Sequence, residues 1–212
     1  MSNLILNFNN KKIKKIKNPK YILGGKGSNL AEMGRLGLPV PPGFIISTEV
    51  CKLFYKNKKR LPKQVLKSIQ LELKTIEKLT SRKFGDLKNP LLVSVRSGAR
   101  VSMPGMMDSI LNLGLNDQTV KALAKKTGNG RFAKESYRRF IQMYSNVVLN
   151  IEGHLFEGMI DSQKLNKGVL LDTELEENDW DELIQRFKEL VKKQTKKKFP
   201  QSVQEQLYGA IS

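Results

Sequence analysis

Two segments of the sequence combine glycine with cationic side chains, which together can hold a phosphate group. The first is Gly24-Gly25-Lys26-Gly27, which follows an apolar lead and precedes apolar residues at helical spacing. Glycine lets a backbone approach a ligand closely, a helix N-terminus attracts anions, and a lysine side chain can reach a phosphate. The GxxxxGK[ST] spacing of the common phosphate-binding loop is absent. The pattern therefore leaves two interpretations open, an anion site and a plain glycine turn.

The second segment runs from Ser94 to Asp108 and contains two arginines. We predict that the apolar residues 91–95 form a buried strand that ends at Arg96. Ligands of open α/β sheets sit beyond the carboxyl ends of the strands, so Arg96 is a candidate phosphate contact. Residues 97–108 are rich in small side chains and methionine, and their backbone amides could wrap an anion. A hydrophobic plug formed by the methionines is the alternative interpretation.

The residues around the first segment predict the elements that position it. Residues 1–20, with a run of lysines, are predicted to form an exposed strand or arm. Ser28 is predicted to cap a helix that stops at Gly37. Proline-rich residues follow, and Phe44-Ile45-Ile46-Ser47 is predicted to be a strand. These predictions describe the first part of an α/β lobe.

Helical periodicity dominates the rest of the sequence. A helix opening at Pro62 is predicted to bury Val65, Ile69, Leu73 and Ile76. Residues 109–113 are predicted to form a strand. Beyond residue 116, two amphipathic helices are predicted from the spacing of Tyr137, Phe140, Ile141, Tyr144, Val147 and Val148, and of Trp180, Leu183, Ile184, Phe187, Leu190 and Val191. Asp179 with Glu182 resembles a capping box in which Asp179 is the cap. The fold class predicted is therefore α/β (α+β), with a helical lobe after an α/β lobe.

Composition excludes several classes of protein. The 212 residues are 39% hydrophobic and 27% charged, as in an ordinary globular chain. No apolar run is long enough to span a membrane, and the N-terminal residues lack the order of a secretory signal. One cysteine and one histidine exclude a disulfide scaffold and a histidine-rich metal site. We expect Cys51 to be a packing residue and His154 to be structural.

The net charge of +18 favours contact with polyanions, including a nucleoside triphosphate. However, lysines outnumber arginines 29 to 9, and arginine is the usual residue for bidentate recognition of bases and phosphates. A lysine excess is more typical of a solvated coat. Nucleic acid is therefore not the expected partner, although a basic polyanion-binding protein stays open as an alternative.

Both glycine-containing segments resemble pyruvate phosphate dikinase. The resemblance lies in GGKGSNLAEMGRLGLPVPPGFIIST and in PLLVSVRSGARVSMPGMMDSILNLGLND, and it extends through RFAKESYRRFIQMYSNVV to FPQSVQEQL. The SMPGMMD stretch is specific, because the related phosphoenolpyruvate synthases share the GGKG and VRS elements but lack that loop. The resemblance covers the chain from about Lys20 onward.

The resemblance implies an incomplete ATP-grasp lobe at residues 1–115 and a helical subdomain at 116–200. Residues 201–212 would begin the return to the α/β lobe. The implied reaction converts ATP, phosphate and pyruvate to AMP, pyrophosphate and phosphoenolpyruvate through a phosphohistidine. The implied nucleotide and phosphate contacts are Lys26, Arg96, Ser102, Met103, Pro104, Gly105, Met106, Met107, Asp108 and Arg139.

Family members are several times longer than this chain. The phosphohistidine domain and the pyruvate-binding barrel are not encoded, so complete turnover by this chain alone is not expected. ATP is the implied ligand, with Mg²⁺ held mainly by residues of a second lobe that is also absent. Asp108, Glu32 and Glu49 are carboxylates that nothing in the sequence pairs into a metal site. The expected partner is a separately encoded remainder of the enzyme, in the cytoplasm and without a membrane, and the family is homo-oligomeric through parts missing here. A nucleotide-binding remnant without catalysis is the alternative function.

Overall fold

The computed structural model describes residues 4–8, 13, 16–97 and 109–212. Packing divides the chain into two compact units. Unit 1 comprises the described residues up to Ser81 together with Arg96, Ser97 and Ser212. Unit 2 comprises Arg82–Val95 and Ser109–Ile211. The predicted division into an α/β lobe at 1–115, a helical subdomain at 116–200 and a return segment at 201–212 stays a prediction. Packing groups residues 82–95 and 109–115 with the helical residues.

The described residues of unit 1 form one pair of strands and three α-helices. Strand β1 (Ile5–Asn7) pairs antiparallel with β2 (Phe44–Ile46), and Leu6 lies opposite Ile45. The helices are α1 (Pro19–Arg35), α2 (Thr48–Lys56) and α3 (Lys63–Thr80). Helix α1 contacts β2 and α2, and α3 contacts β1. The core around this strand pair contains Leu6, Ile13, Leu23, Ala31 and Ile45.

Several predictions for unit 1 are confirmed. The strand at Phe44 is present, and α3 begins directly after Pro62 with Val65, Ile69 and Ile76 buried. Leu73, which was also predicted to be buried, is half-buried. The N-terminal residues do form a strand, but Leu6 is buried instead of exposed. Helix α2 was not predicted, because it buries only Val50 and leaves little apolar periodicity. Cys51 lies on its exposed face, so the prediction of a packing cysteine is wrong.

The end of α1 follows the predicted glycine stop. The amide of Gly37 donates to the carbonyl of Gly34, and the amide of Leu38 donates to the carbonyl of Met33. Gly37 has a φ of 77°, the left-handed conformation that this type of helix end requires. The prediction for Gly37 is confirmed.

Unit 2 contains two small sheets and five α-helices among its described residues. Strands β3 (Lys83–Phe84) and β4 (Pro90–Leu91) pair in parallel, and β5 (Val93–Arg96) pairs with β6 (Ser109–Leu113). The helices are α4 (Thr119–Thr127), α5 (Gly130–Val147), α6 (Gly153–Lys167), α7 (Glu177–Thr195) and α8 (Val203–Ile211). A short 3₁₀ helix, Asp172–Glu174, precedes α7. Helix α5 packs mainly on α7, α4 and β6 and is the centre of the unit.

The two predicted amphipathic faces meet in the core of unit 2. Tyr137, Phe140, Ile141 and Tyr144 of α5 are buried, and so are all six predicted residues of α7. Phe140 and Tyr144 both contact the ring of Phe199 edge to face, with centroids 5.8 and 5.6 Å apart, and their own rings are tilted against each other at 5.7 Å. Val147 and Val148 are the exceptions: Val147, the last residue of α5, is exposed, and Val148, just beyond the helix, is half-buried.

A buried glutamine ties the last helix to an earlier turn. Gln206 on α8 accepts a hydrogen bond from the amide of Gly114 at 3.2 Å. Its side-chain amide donates to the carbonyls of Leu115 and Pro200, both at 2.9 Å. One side chain therefore satisfies main-chain groups of two distant segments.

The predicted cap of α7 is displaced by one turn. Helix α7 begins at Glu177, and the amide of Glu176 donates to Oδ2 of Asp179 at 2.7 Å. Asp179 therefore caps the helix from its third residue and is not the cap residue itself, because the turn before Trp180 is already helical. The predicted role of Asp179 as the cap residue is wrong.

The observed fold is a helix-rich mixture of helices and small sheets, consistent with the predicted α/β class. In the described part of the chain, no helix is long and apolar enough to cross a membrane.

Candidate functional site

The glycine cluster lies inside α1 and interrupts it. Gly24 has φ 73° and ψ 172°, which are non-helical values that only glycine adopts readily. Helix α1 is therefore two helical segments joined at Gly24, and the second segment starts at Gly25. The prediction that Ser28 caps this helix is wrong, because the helix begins three residues earlier. The glycine at position 24 makes this break possible.

Because α1 is broken at Gly24, residues Gly25, Lys26 and Gly27 form the first turn of its second helical segment. The amides of a first helical turn have no acceptors within the helix and point along a dipole that favours anions. Lys26, in this turn, is half-buried. The arrangement can therefore offer both main-chain donors and a cation to one anionic group.

Two contacts, one on each side of Gly24, hold the broken helix in place. A Cβ on Gly27 would lie 3.3 Å from Ile45 on β2, so the helix approaches the strand closely at this point. On the other side of the break, Oγ1 of Thr48 donates to the carbonyl of Tyr21 at 2.9 Å. The two halves of α1 are thus each fixed to neighbouring elements of unit 1.

Arg96 is the last residue of β5 and is exposed. The predicted strand is present, but in two pieces, because Leu92 separates β4 from β5. The prediction of a buried strand is wrong for β5, where half-buried and exposed residues alternate. Among the described strands, β5 pairs with β6 alone, so more of its surface stays exposed than in a strand inside a larger sheet. The predicted loop Ser102–Asp108 lies outside the described residues.

Arg139 lies on the exposed side of α5 and is held by a carboxylate one turn earlier. Its Nη2 is 2.9 Å from Oε1 of Glu135, and 61% of its side chain is exposed. Glu135 also lies 3.8 Å from Arg131, whose guanidinium donates to the carbonyls of Leu175 and Asp172 at 2.6 and 2.8 Å. Arg139 is therefore accessible to a ligand while its position is restricted by Glu135.

The neighbouring arginine has a different environment. Arg138 is 5% exposed, its guanidinium lies 5.0 Å from the centre of the Trp180 ring, and Nη1 donates to Gln142 at 2.8 Å. Burial lowers the pKa of Arg138, and the positive charge of Arg139 lowers it further. Of the two consecutive arginines, one therefore packs in the core and the other faces solvent, because successive helical residues point about 100° apart.

The structure places the predicted residues in both units. Lys26 and Arg96 belong to unit 1, whereas Arg139 belongs to unit 2. Sequence reasoning missed Glu135 and Arg131. The i, i+4 spacing of a carboxylate between two arginines on a predicted helix could have indicated them. His154 is exposed and lies 3.2 Å from Glu152, in the first turn of α6.

Comparison with known sequences identifies the relatives of this chain. Residues 20–83 match the family model described as pyruvate phosphate dikinase, AMP/ATP-binding domain. The chain is 52% identical over 193 residues to pyruvate, phosphate dikinase of Clostridium symbiosum. It is 49% identical over 192 residues to the enzyme of Entamoeba histolytica. Identity to the chloroplastic enzyme of Flaveria pringlei is 47% over 196 residues.

These matches cover most of this chain but a small share of each relative. They include 91% of this chain and 22% of the Clostridium and Entamoeba enzymes, and 92% of this chain and 20% of the Flaveria enzyme. The chain thus spans about a fifth of the length of the curated relatives it matches. The predicted resemblance is confirmed: the chain is a relative of the pyruvate phosphate dikinases and matches their AMP/ATP-binding domain.

Proposed function

We propose that this chain is the nucleotide-binding part of a pyruvate phosphate dikinase and that it binds ATP through the triphosphate. The observation that carries the proposal is the break at Gly24, which opens a helix N-terminus at Gly25–Gly27 with Lys26 in its first turn. The match of residues 20–83 to an AMP/ATP-binding domain includes this break.

Each predicted residue has a role in this proposal. The amides of Gly25–Gly27 and the ammonium of Lys26 bind phosphate oxygens. Arg96 adds a second cation, and Ser102–Asp108 contribute main-chain donors. Arg139, restricted by Glu135, contributes a third cation. Cations and oriented amides stabilise the charge that develops on a transferred phosphoryl group.

The complete reaction needs more than these residues supply. We propose that the chain forms an incomplete ATP-grasp lobe and helical subdomain, and that the groups that carry the phosphoryl and bind pyruvate come from elsewhere. The products of the complete enzyme would be AMP, pyrophosphate and phosphoenolpyruvate. In this chain, the described residues contain no group of three or more His, Cys, Asp or Glu that could hold a metal ion. We therefore assign no Mg²⁺ ligand and derive no step through the metal.

Calorimetric titration with magnesium-ATP at physiological salt tests the proposal. Arg96→Ala should weaken binding at least tenfold, because a cation–phosphate contact contributes about 1.5–3 kcal/mol. Arg82→Ala is the matched control, since Arg82 is also exposed and its loss changes the net charge equally. The control should bind within twofold of the native chain. Absence of binding by the native chain, or equal losses in both variants, would overturn the proposal.

A further inference from the structure

The positive charge of this chain is distributed unevenly. Residues 1–81 hold 17 of the 38 Lys and Arg residues but only 4 of the 20 Asp and Glu residues. This part of the sequence therefore carries +13 of the net +18. A general lysine coat would follow the whole surface, so the concentration in one part of the chain calls for its own explanation.

Within this part, the charge concentrates where α2 passes into α3. Residues 50–71 contain seven basic residues and no acidic residue. All seven are exposed, and none takes part in a salt bridge with the described part of the chain. We name them the α2–α3 basic surface: Lys52, Lys56, Lys58, Lys59, Arg60, Lys63 and Lys67.

Three lysines of unit 2 behave differently. Lys134 pairs with Asp181, Lys164 with Asp161 and Asp172, and Lys188 with Asp117. Their charge is largely neutralised within the fold. The cations of the α2–α3 basic surface remain available to an external anion.

The turn at the centre of this surface has a fixed conformation. The amide of Arg60 donates to the carbonyl of Asn57 at 3.1 Å, and Nδ2 of Asn57 donates back to the carbonyl of Arg60 at 2.8 Å. Between them, Lys58 and Lys59 have φ values of 54° and 56°. Left-handed backbone is costly for residues with a Cβ, and glycine is usual at such helix ends. Lys58 and Lys59, together with Arg60, therefore present three consecutive cations on a turn that is already ordered.

An aromatic ring lies next to these cations in the sequence and on the surface. Tyr55 is 64% exposed, although burial of a tyrosine ring is normally favourable. Its ring packs edge to face on Phe54, with centroids 5.6 Å apart, which restricts its orientation. Lys52, three residues earlier on α2, shares its helical face. The ring is therefore a supported and accessible stacking platform bordered by cations.

We propose that the α2–α3 basic surface, with Tyr55, binds single-stranded nucleic acid without sequence preference. Lysine ammonium groups attract phosphates as point charges and do not read bases. A single strand can place an unpaired base on Tyr55 while its phosphates contact Lys58, Lys59 and Arg60. A duplex keeps its bases stacked inside and an anionic membrane offers none, so the exposed ring favours the single strand. This binding is independent of the nucleotide site proposed above.

The test is fluorescence anisotropy of the full chain with a labelled 12-nucleotide oligouridylate, between 50 and 300 mM KCl. The triple variant Lys58→Ala, Lys59→Ala, Arg60→Ala should bind at least tenfold more weakly. The slope of log affinity against log salt should fall by about 2, since each phosphate contact contributes about 0.7 for a single strand. Tyr55→Leu should bind about tenfold more weakly with the salt slope unchanged, because it removes stacking and no charge.

The matched control is Lys196→Ala, Lys197→Ala, Lys198→Ala, three consecutive exposed lysines after α7 whose adjacent aromatic residue, Phe199, is buried. It should bind RNA within twofold of the native chain. Circular dichroism should show that all variants keep the native helix content. Equal losses in the two triple variants would overturn the proposal in favour of a general charge effect. No effect of Tyr55→Leu, or binding to phosphatidylserine vesicles but not to RNA, would also overturn it.

Discussion

The two units of this chain balance apolar and charged interactions differently. Among the described residues, unit 2 contains nine of the twelve largest fully buried side chains, including Trp180, Tyr137 and Phe187, and several of its lysines pair with carboxylates. Unit 1 has a smaller aliphatic core around one short antiparallel strand pair and an excess of unneutralised cations. The comparison indicates that unit 2 is stabilised mainly by its own packing. Unit 1, which contains Lys26 and Arg96, has more to gain from a bound anion, because a ligand that binds only the folded state stabilises it.

The largest effect is expected in the core of unit 2. Trp180→Ala should lower the free energy of unfolding by about 3–5 kcal/mol, because it removes a fully buried ring and the surface on which Arg138 stacks. Denaturant titration measures this change. Phe132→Ala, at an exposed aromatic residue of α5, is the control and should cost less than about 1 kcal/mol. A small effect of Trp180→Ala would contradict the view that unit 2 depends on this core.

An intermediate effect is expected at the break in α1. Gly24→Ala should lower the free energy of unfolding by about 1–3 kcal/mol, because alanine is strained at φ 73° and ψ 172°. If the variant instead straightens α1, magnesium-ATP binding should be lost with it.

Gly34→Ala provides the matched control within the same helix. Nothing lies within 4 Å of a Cβ at Gly34, and the backbone there is helical. This variant should be more stable than the native chain by about 0.5–1 kcal/mol, with ATP affinity unchanged. Native-like stability and ATP binding of Gly24→Ala would show that the break is not required.

The smallest effect is expected at the start of α7 and depends on pH. Burial by itself raises the pKa of Asp179, but hydrogen bonds from Lys167, the Glu176 amide and Gln163 outweigh burial and lower it below the ordinary value of 3.8. The carboxylate therefore stabilises the fold above the unfolded-state pKa, and this contribution is lost as the pH falls through the folded-state pKa. Asp179→Asn should cost about 0.5–1 kcal/mol at pH 7.

Denaturant titrations at pH 7 and at pH 3 and below measure this dependence. The difference between Asp179→Asn and the native chain should shrink on acidification. Asp161→Asn, at an exposed carboxylate whose partner Lys164 has a second carboxylate in Asp172, is the control and should cost little at either pH. A difference that stays constant with pH would mean that the charge of Asp179 does not stabilise α7.

Sequence patterns predicted α3, α5 and α7 well because apolar periodicity reports burial directly, but they did not predict α6. The helices around Tyr137 and Trp180 bury the faces that their spacing predicts, and the strand at Phe44 is where its β-branched and aromatic residues place it. Helix α2 was missed because a helix with one buried residue has no strong period. Cys51 is exposed for the same reason, because α2 buries only Val50.

The candidate site was predicted by residue type but not by geometry. The glycine cluster and Lys26 were found, yet the break at Gly24 was not, because several glycines in a row allow many backbone conformations. The sequence of α5 did not say which of Arg138 and Arg139 faces solvent until the buried face was fixed by Trp180. The domain boundaries and the phosphate contacts stay predictions.

The hydrogen bonds of Gln206 also have a consequence for how the chain acquires its structure. The main-chain groups of Gly114 and Leu115 find their partner about 90 residues later, on the last helix. During synthesis, the hydrogen bonds of Gly114 and Leu115 to Gln206 can therefore form only after α8 has left the ribosome. Contacts so distant in sequence are slow to form, since the intervening chain must be ordered first. We therefore expect the final assembly of unit 2 to be a late event, in which α8 completes the hydrogen bonds of Gly114 and Leu115.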